Sequence, residues 1–189
     1  MERMNVLALQ SSPRMDGNTV TLARAFLEGL KAAGVKQVNE VFLDGLDIRA
    51  CTNCDACLEG EEFCVFDDDM QLLYRQFSEA DLVVLATPIY WWNINTQLKV
   101  VIDRLYGLDF AKHPERYQGK KLVLVFTHQE AHPCSGAEIA RKMFDEIAEY
   151  TEMTIAGDLR YSSDEKHVRG VPEKLKEARE LGLRLGKGG

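Results

Sequence analysis

Apolar runs and amphipathic stretches alternate along the whole chain. Residues 5–10 read as a short buried strand. Residues 19–33 place Leu22, Ala25, Phe26, Leu30 and Ala33 at helical spacing, and Gly34 ends that helix. Residues 38–43 alternate as a second strand. Residues 69–79 read as a helix, with aspartates at its start suited to capping and to the helix dipole. Residues 82–87 are apolar throughout, as a central parallel strand is. A helix over 96–106, a strand over 121–127, a helix over 136–150, a weaker strand over 154–159 and a helix over 172–185 complete the order. Strands joined by helical crossovers predict an α/β three-layer sandwich with a five-stranded parallel sheet, as a single domain over 1–189. Such sheets bind ligands beyond the carboxyl ends of their strands. The loops 11–19, 88–95 and 128–135 should therefore carry function, with the cysteine stretch that follows strand two on the same edge.

Composition narrows the picture. Hydrophobic residues make up 46% and charged residues 28%, as in an ordinary globular protein. The net charge is −7, and its distribution says more than its size. Residues 51–69 hold seven acids (Asp55, Glu59, Glu61, Glu62, Asp67, Asp68, Asp69) and no Lys or Arg, so the rest of the chain balances at 23 against 23. An acidic balance argues against nucleic acid or an anionic membrane as partner. The first ten residues lack a basic region followed by a long apolar core, and the greasiest stretch, 82–92, is only about half a membrane span. A cytoplasmic location is expected. There, clustered cysteines more often bind metal or do redox work than form structural disulfides.

The first loop reads Ser11-Ser12-Pro13-Arg14-Met15-Asp16-Gly17-Asn18-Thr19. It joins a strand to a helix start, where backbone N–H groups favour an anion. Ser11, Ser12, Asn18 and Thr19 add side-chain donors, and Arg14 adds a fixed charge. It is neither a P-loop nor a dinucleotide fingerprint, and its hydroxyls suit a phosphate monoester. A polar turn that merely caps the first helix is the plainer reading. Ser-Pro-Arg-x-x-Gly-Asn-Thr after an opening strand resembles the phosphate loop of the NAD(P)H-dependent FMN reductase group, within the flavodoxin-like fold. Residues 87–99, Thr-Pro-Ile-Tyr-Trp-Trp-Asn-Ile-Asn-Thr-Gln-Leu-Lys, followed by Ile102-Asp103-Arg104-Leu105, resemble that group's second flavin loop and helix. The resemblance implies that Ser11, Ser12, Arg14, Asn18 and Thr19 hold the FMN phosphate, and that Pro88, Ile89, Tyr90, Trp91, Trp92 and Asn93 wrap the isoalloxazine. Thr127 and His128 are candidates for the ring edge. Read from the residues alone, an aromatic-rich loop at a strand's carboxyl end offers flat apolar surface to a flavin. The competing reading makes Tyr90, Trp91 and Trp92 core or subunit-contact aromatics. One or two of them are expected near the flavin and at least one at a subunit contact.

The cysteines are spaced Cys51-x2-Cys54-x2-Cys57-x6-Cys64. Three thiolates at steps of three can wrap corners of an iron-sulfur cubane that a fourth completes. Thr52, Asn53, Asp55 and Ala56 are small or polar enough to let the backbone curl. The spacing resembles the compact motif of the iron-sulfur flavoproteins, a branch of the same group that carries a [4Fe-4S] cluster. A zinc site with four cysteines usually uses two knuckles set further apart. A redox disulfide or plain thiols would also be compatible with four clustered cysteines. Cys134 stands apart and reads as a plain thiol, and His128, His132 and Cys134 are a weak candidate for a second metal site. Asp67, Asp68 and Asp69 do not have EF-hand spacing.

These readings imply an FMN-dependent oxidoreductase carrying a [4Fe-4S] cluster, passing electrons between a reduced donor (ferredoxin or NAD(P)H) and an acceptor. No side chain is required as acid, base or nucleophile. Two further functions fit the same residues: a cluster-free NAD(P)H-dependent FMN or quinone reductase, and a redox carrier or sensor acting through a partner. The resemblance also implies a homodimer or homotetramer.

Overall fold

The computed structural model describes residues 4–60, 63–131, 133–164 and 166–188. Five parallel strands, β1 (Asn5–Gln10), β2 (Gln37–Phe42), β3 (Leu82–Tyr90), β5 (Lys121–His128) and β6 (Thr154–Ser162), lie in the order β2-β1-β3-β5-β6. The sheet is doubly wound, as the alternating pattern predicts, and its order is that of the flavodoxin-like fold which the resemblance implies. A two-residue strand, β4 (Asn93–Ile94), pairs antiparallel with the end of β3. The helices are α1 (Asn18–Ala32), a single turn α2 (Ala56–Glu59), α3 (Met70–Glu79), α4 (Thr96–Arg104), α5 (Ser135–Thr151) and α6 (Pro172–Gly186). No helix among the described residues is long and apolar enough to cross a membrane.

Strand alternation divides the core in two. Val6, Ala8, Val84, Ala86, Val123 and Val125 pack with α1 and α6. Leu7, Leu9, Val83, Leu85, Leu122, Leu124 and Phe126 pack with α3, α4 and α5. The smaller set lies under the more closely crossed helices. A Cβ on Gly29 would sit 2.1 Å from the Arg179 carbonyl oxygen, and one on Gly182 would sit 2.1 Å from that of Phe26. Backbone therefore meets backbone at the α1–α6 crossing, which only glycine permits.

The structure departs from the pattern in three places. β3 runs on through Pro88 to Tyr90 and turns back at Trp91-Trp92, pairing Ile89 with Ile94 and Tyr90 with Asn93. Proline is tolerated there because the strand has reached its carboxyl end. β6 continues through Arg160 to Ser162, beside the end of β5. At the start of α3, Asp69 makes no side-chain cap. Its carboxylate accepts the Asp47 N–H at 2.7 Å, while Asp68 accepts the Met70 N–H at 3.2 Å. Asp68 and Asp69 thus tie the preceding loop down as well as marking the helix start.

Candidate functional site

The loops after β1, β3 and β5 meet at the carboxyl edge of the sheet. α1 starts at Asn18 after Gly17, which is extended and supplies no side-chain cap. The first N–H groups of α1 are thus left for a ligand. The turn before it is closed by the Gly17 N–H to the Arg14 carbonyl at 3.0 Å and by the Arg14 N–H to Ser12 Oγ at 3.2 Å. A Cβ on Gly17 would lie 3.1 Å from the Arg14 carbonyl oxygen, so the turn is tight. Arg14 is exposed, and its guanidinium has no partner among the described residues. Ser12 is buried at the turn. Ser11 is fully buried, and its hydroxyl donates to the Ala86 carbonyl at 3.0 Å, which joins the loop to β3. Thr19 Oγ1 lies 2.6 Å from Thr127 Oγ1, which brings the end of β5 to the start of α1. Asn18 Oδ1 accepts the Val168 N–H at 2.8 Å, and His167 Nε2 lies 3.2 Å from the Asp16 carbonyl oxygen. The segment after β6 thus closes the far side of the loop. Sequence reasoning missed His167, because no local signal links it to a loop 150 positions earlier.

The second loop is the hairpin of β3 and β4. Trp91 and Trp92 have φ of +47° and +64°. Two residues with positive φ form a tight turn that normally selects Asn-Gly, and a bulky residue there is strained. The hairpin is backed by the first turn of α5. Trp92 Nε1 donates to Ser135 Oγ at 3.0 Å, and a Cβ on Gly136 would approach Trp92 Cα to 2.8 Å. Tyr90, Trp91 and Trp92 are 50%, 90% and 51% exposed, so none belongs to the core. Pro88 is buried in register with Thr127, while Ile89 and Asn93 are half-buried. Asn93 Oδ1 accepts the Ile94 N–H at 2.8 Å. Asn95 joins the two loops: its Nδ2 donates to the Ser11 carbonyl at 2.6 Å, and its Oδ1 accepts from Thr87 Oγ1 and from the Leu98 N–H at the start of α4. An Asn before a helical run is a legible cap signal. Its reach to Ser11 is not. His128 is buried, with Nδ1 2.6 Å from the Glu130 carbonyl oxygen. Cys134 is buried before α5. His132, Glu61 and Glu62 lie outside the described residues.

The cysteine stretch does not stay on this edge. It reaches the far end of α4, a nine-residue helix about 14 Å long. There a Cβ on Gly107 would approach Cys64 Cβ to 3.3 Å, and Lys112 Nζ donates to the Leu58 carbonyl. The anchor is Arg104, with a side chain 1% exposed. Nη1 and Nη2 reach the two oxygens of Asp68 at 2.7 and 3.2 Å, and Nη1 also donates to the Arg49 carbonyl at 2.7 Å. Arg49 and Arg104 both face the Phe66 ring, and Arg116 faces Phe63. The expectation that the stretch lies on the same edge is therefore corrected: a buried ion pair between residues 36 positions apart holds it at the far end of α4.

Cys51, Cys54, Cys57 and Cys64 line one pocket, together with Phe66 and Tyr106. Asn53 and Asp55 take left-handed backbone (φ +53° and +55°), which these two residue types tolerate, and so the chain curls. The Asn53 N–H points at Cys51 Sγ at 3.4 Å. Burial pushes the Cys57 thiol up, and Cys64, Cys51 and Cys54 push it the same way, so Cys57 lies within electrostatic reach of the other three. All four are free thiols. Among the described residues, no group of three or more His, Cys, Asp or Glu side chains is arranged to hold a metal ion.

An iron-sulfur flavoprotein of Methanocaldococcus jannaschii is 30% identical over 154 residues, covering 82% of this chain and 75% of that protein. One from Archaeoglobus fulgidus is 39% identical over 106 residues, covering 55% of this chain and 47% of that protein, so the chain spans about half the length of that relative. In fold, it resembles an FMN-dependent NADH-azoreductase from Bacillus anthracis in complex with FMN (TM-score 0.76, 14% identity, 96% of this chain and 99% of that one). It also resembles an NAD(P)H:quinone oxidoreductase from Methanothermobacter marburgensis (TM-score 0.72, 18% identity, 97% and 96%). A family model described as NADPH-dependent FMN reductase matches residues 4–178, and the chain belongs to that family.

Proposed function

We propose that the protein is an FMN-dependent oxidoreductase that holds a [4Fe-4S] cluster on Cys51, Cys54, Cys57 and Cys64. In this reading it passes electrons from a reduced donor, ferredoxin or NAD(P)H, to an acceptor. The observation that carries the reading is the convergence of four thiols on one pocket in a chain of an FMN reductase family. The donor set suits both groups. A helix start without a side-chain cap, an exposed Arg14 with no partner among the described residues and the Ser12 hydroxyl suit a phosphate monoester. A curled loop of small and polar residues, with an N–H aimed at sulfur, suits a cluster. The x2-x2-x6 spacing of the four cysteines fits a cluster better than a zinc site, which usually uses two knuckles set further apart.

FMN exchanges two electrons as hydride or one at a time, and a cluster moves one. The chain's own residues bind and orient. Arg14 and the N–H groups of α1 hold the phosphate. The Thr19–Thr127 contact fixes the distance between the phosphate loop and the end of β5. The strained Trp91-Trp92 turn presents backbone and rings to the flavin, backed by Ser135 and Gly136. Trp91, 90% exposed at the tip, is proposed as part of a subunit contact in a homodimer or homotetramer. Sedimentation showing a monomer overturns that part.

Flavin, iron and sulfide analysis of protein purified without oxygen tests the rest. About one FMN and four irons per chain are expected, with Cys54→Ser losing iron and sulfide but keeping flavin. Stoichiometric zinc in place of iron overturns the cluster, and a protein that neither contains nor takes up FMN overturns the flavin.

A further inference from the structure

A second cavity, of about 580 Å³, opens beside the end of α4, on the face of the sheet away from α1 and α6. Its floor is core: Leu85 of β3, Leu122 of β5 and Phe144 of α5. Its walls are rings. Phe110 packs against Tyr117 and Tyr150 at centroid distances of 5.6 and 5.3 Å, and Phe77 packs against Tyr117 at 5.5 Å. The charged groups at its rim are already paired: Asp103 with Lys99, and Asp109 with Lys112. The Tyr117 hydroxyl donates to the Leu105 carbonyl at 2.6 Å. The hydroxyls of Tyr106 and Tyr150 have no hydrogen-bond partner among the described residues. A phenol keeps its proton at neutral pH, so the Tyr106 hydroxyl can donate.

We propose that this cavity is a binding site for a neutral, planar aromatic carbonyl compound of about two fused rings, a quinone or an aromatic ketone. Protein interiors are close-packed, and a recess of this size is in the range of small-molecule pockets. Aromatic walls select a flat ring, and paired charges at the rim offer nothing to an ionic ligand. Two free phenols supply hydrogen bonds to a carbonyl oxygen. Tyr106 lines both this cavity and the cysteine pocket, so the two adjoin at that side chain. That adjacency would make the ligand an electron acceptor if the function proposed above holds, but binding does not depend on that function.

The test is titration calorimetry with 2,3-dimethyl-1,4-naphthoquinone, whose substituted positions do not add a thiol. One site per chain is expected. Ala111→Trp at the exposed mouth and Ile147→Trp in the wall should each weaken binding at least ten-fold. Tyr106→Phe should weaken it about five-fold, one neutral hydrogen bond's share. Thermal unfolding monitors the fold of each variant. If the tryptophan variants do not fold, nuclear Overhauser contacts from the ligand methyls to the rings of Phe110 and Tyr150 decide in their place. No binding overturns the proposal, as does binding untouched by all three substitutions. Self-association abolished by Ala111→Trp without ring binding also overturns it, by assigning the cavity to a second copy of the chain. Because the measurement needs no cluster and no turnover, its failure leaves the metal and flavin analysis unaffected.

Discussion

Replacing Arg104 by Met should loosen the cysteine loop from the fold. Arg104 and Asp68 have side chains 1% and 2% exposed and meet through two bonds of 2.7 and 3.2 Å. Removing one partner of such a pair leaves a buried charge uncompensated, at about 3–5 kcal/mol. Asp68 keeps the N–H groups of Arg49 and Met70 at 3.1 and 3.2 Å and the distant guanidinium of Arg49 at 3.9 Å. The loss should therefore fall near the lower end, about 3 kcal/mol. Urea unfolding of the protein at pH 7, without oxygen, measures it. Asp68→Asn in the Arg104→Met background should recover at least ~1 kcal/mol, since the orphaned charge is gone. The pH dependence is the second reading. Burial pushes the Asp68 carboxyl up, but its hydrogen bonds from Arg104, Arg49 and Met70 outweigh burial and hold it below the usual range. A group held low in the folded state stabilises fully above its unfolded value, about 3.9, and loses that contribution as pH falls through the lower folded value. Wild type should lose stability in that acid window and Arg104→Met much less. A cost under ~1 kcal/mol at pH 7, or additive single and double variants, refutes the anchor.

Gly136→Ala places a Cβ 2.8 Å from Trp92 Cα, so the hairpin must move. FMN affinity by fluorescence titration should fall about ten-fold, with about 1–3 kcal/mol lost from stability, and unchanged affinity removes the hairpin from the flavin site. Gly182→Ala forces a Cβ to 2.1 Å from the Phe26 carbonyl oxygen. It should cost about 3 kcal/mol or more in urea unfolding while leaving any loop-specific cysteine chemistry intact. Arg14→Ala removes an exposed cation and should weaken FMN binding about ten-fold, the order of one charge-assisted hydrogen bond, with no change in stability.

Strand and helix were legible where burial on both faces produced unbroken apolar runs, as over residues 82–87, or where apolar spacing was helical, as in α1 and α5. The β3–β4 hairpin was not legible. Its turn is Trp91-Trp92 where local rules ask for Asn-Gly, and what holds it is contact with Ser135 and Gly136, over 40 positions away. The end of β6 was missed because Arg160 and Ser162 look like loop residues. Arg160 is instead held by Asp158 at 2.7 Å and by Glu138. The phosphate-loop residues could be read as a set, yet their division of labour could not: Ser11 faces β3 while Arg14 faces out.

The sequence alone determined that four cysteines and seven acids share 19 residues, because that is a count along the chain. It also determined that the loop could curl, since Asn and Asp tolerate left-handed backbone. Where the loop goes, and what charge surrounds it, only the tertiary structure decided. Arg104 cancels Asp68 inside the protein, Arg49 and Arg116 cover the rings of Phe66 and Phe63, and Lys112 reaches the Leu58 carbonyl. A stretch without a single basic residue is thus bordered by four, brought from before and after it. Charge in a sequence is counted by position, but its energy depends on distance and burial, which exist only once the chain has folded.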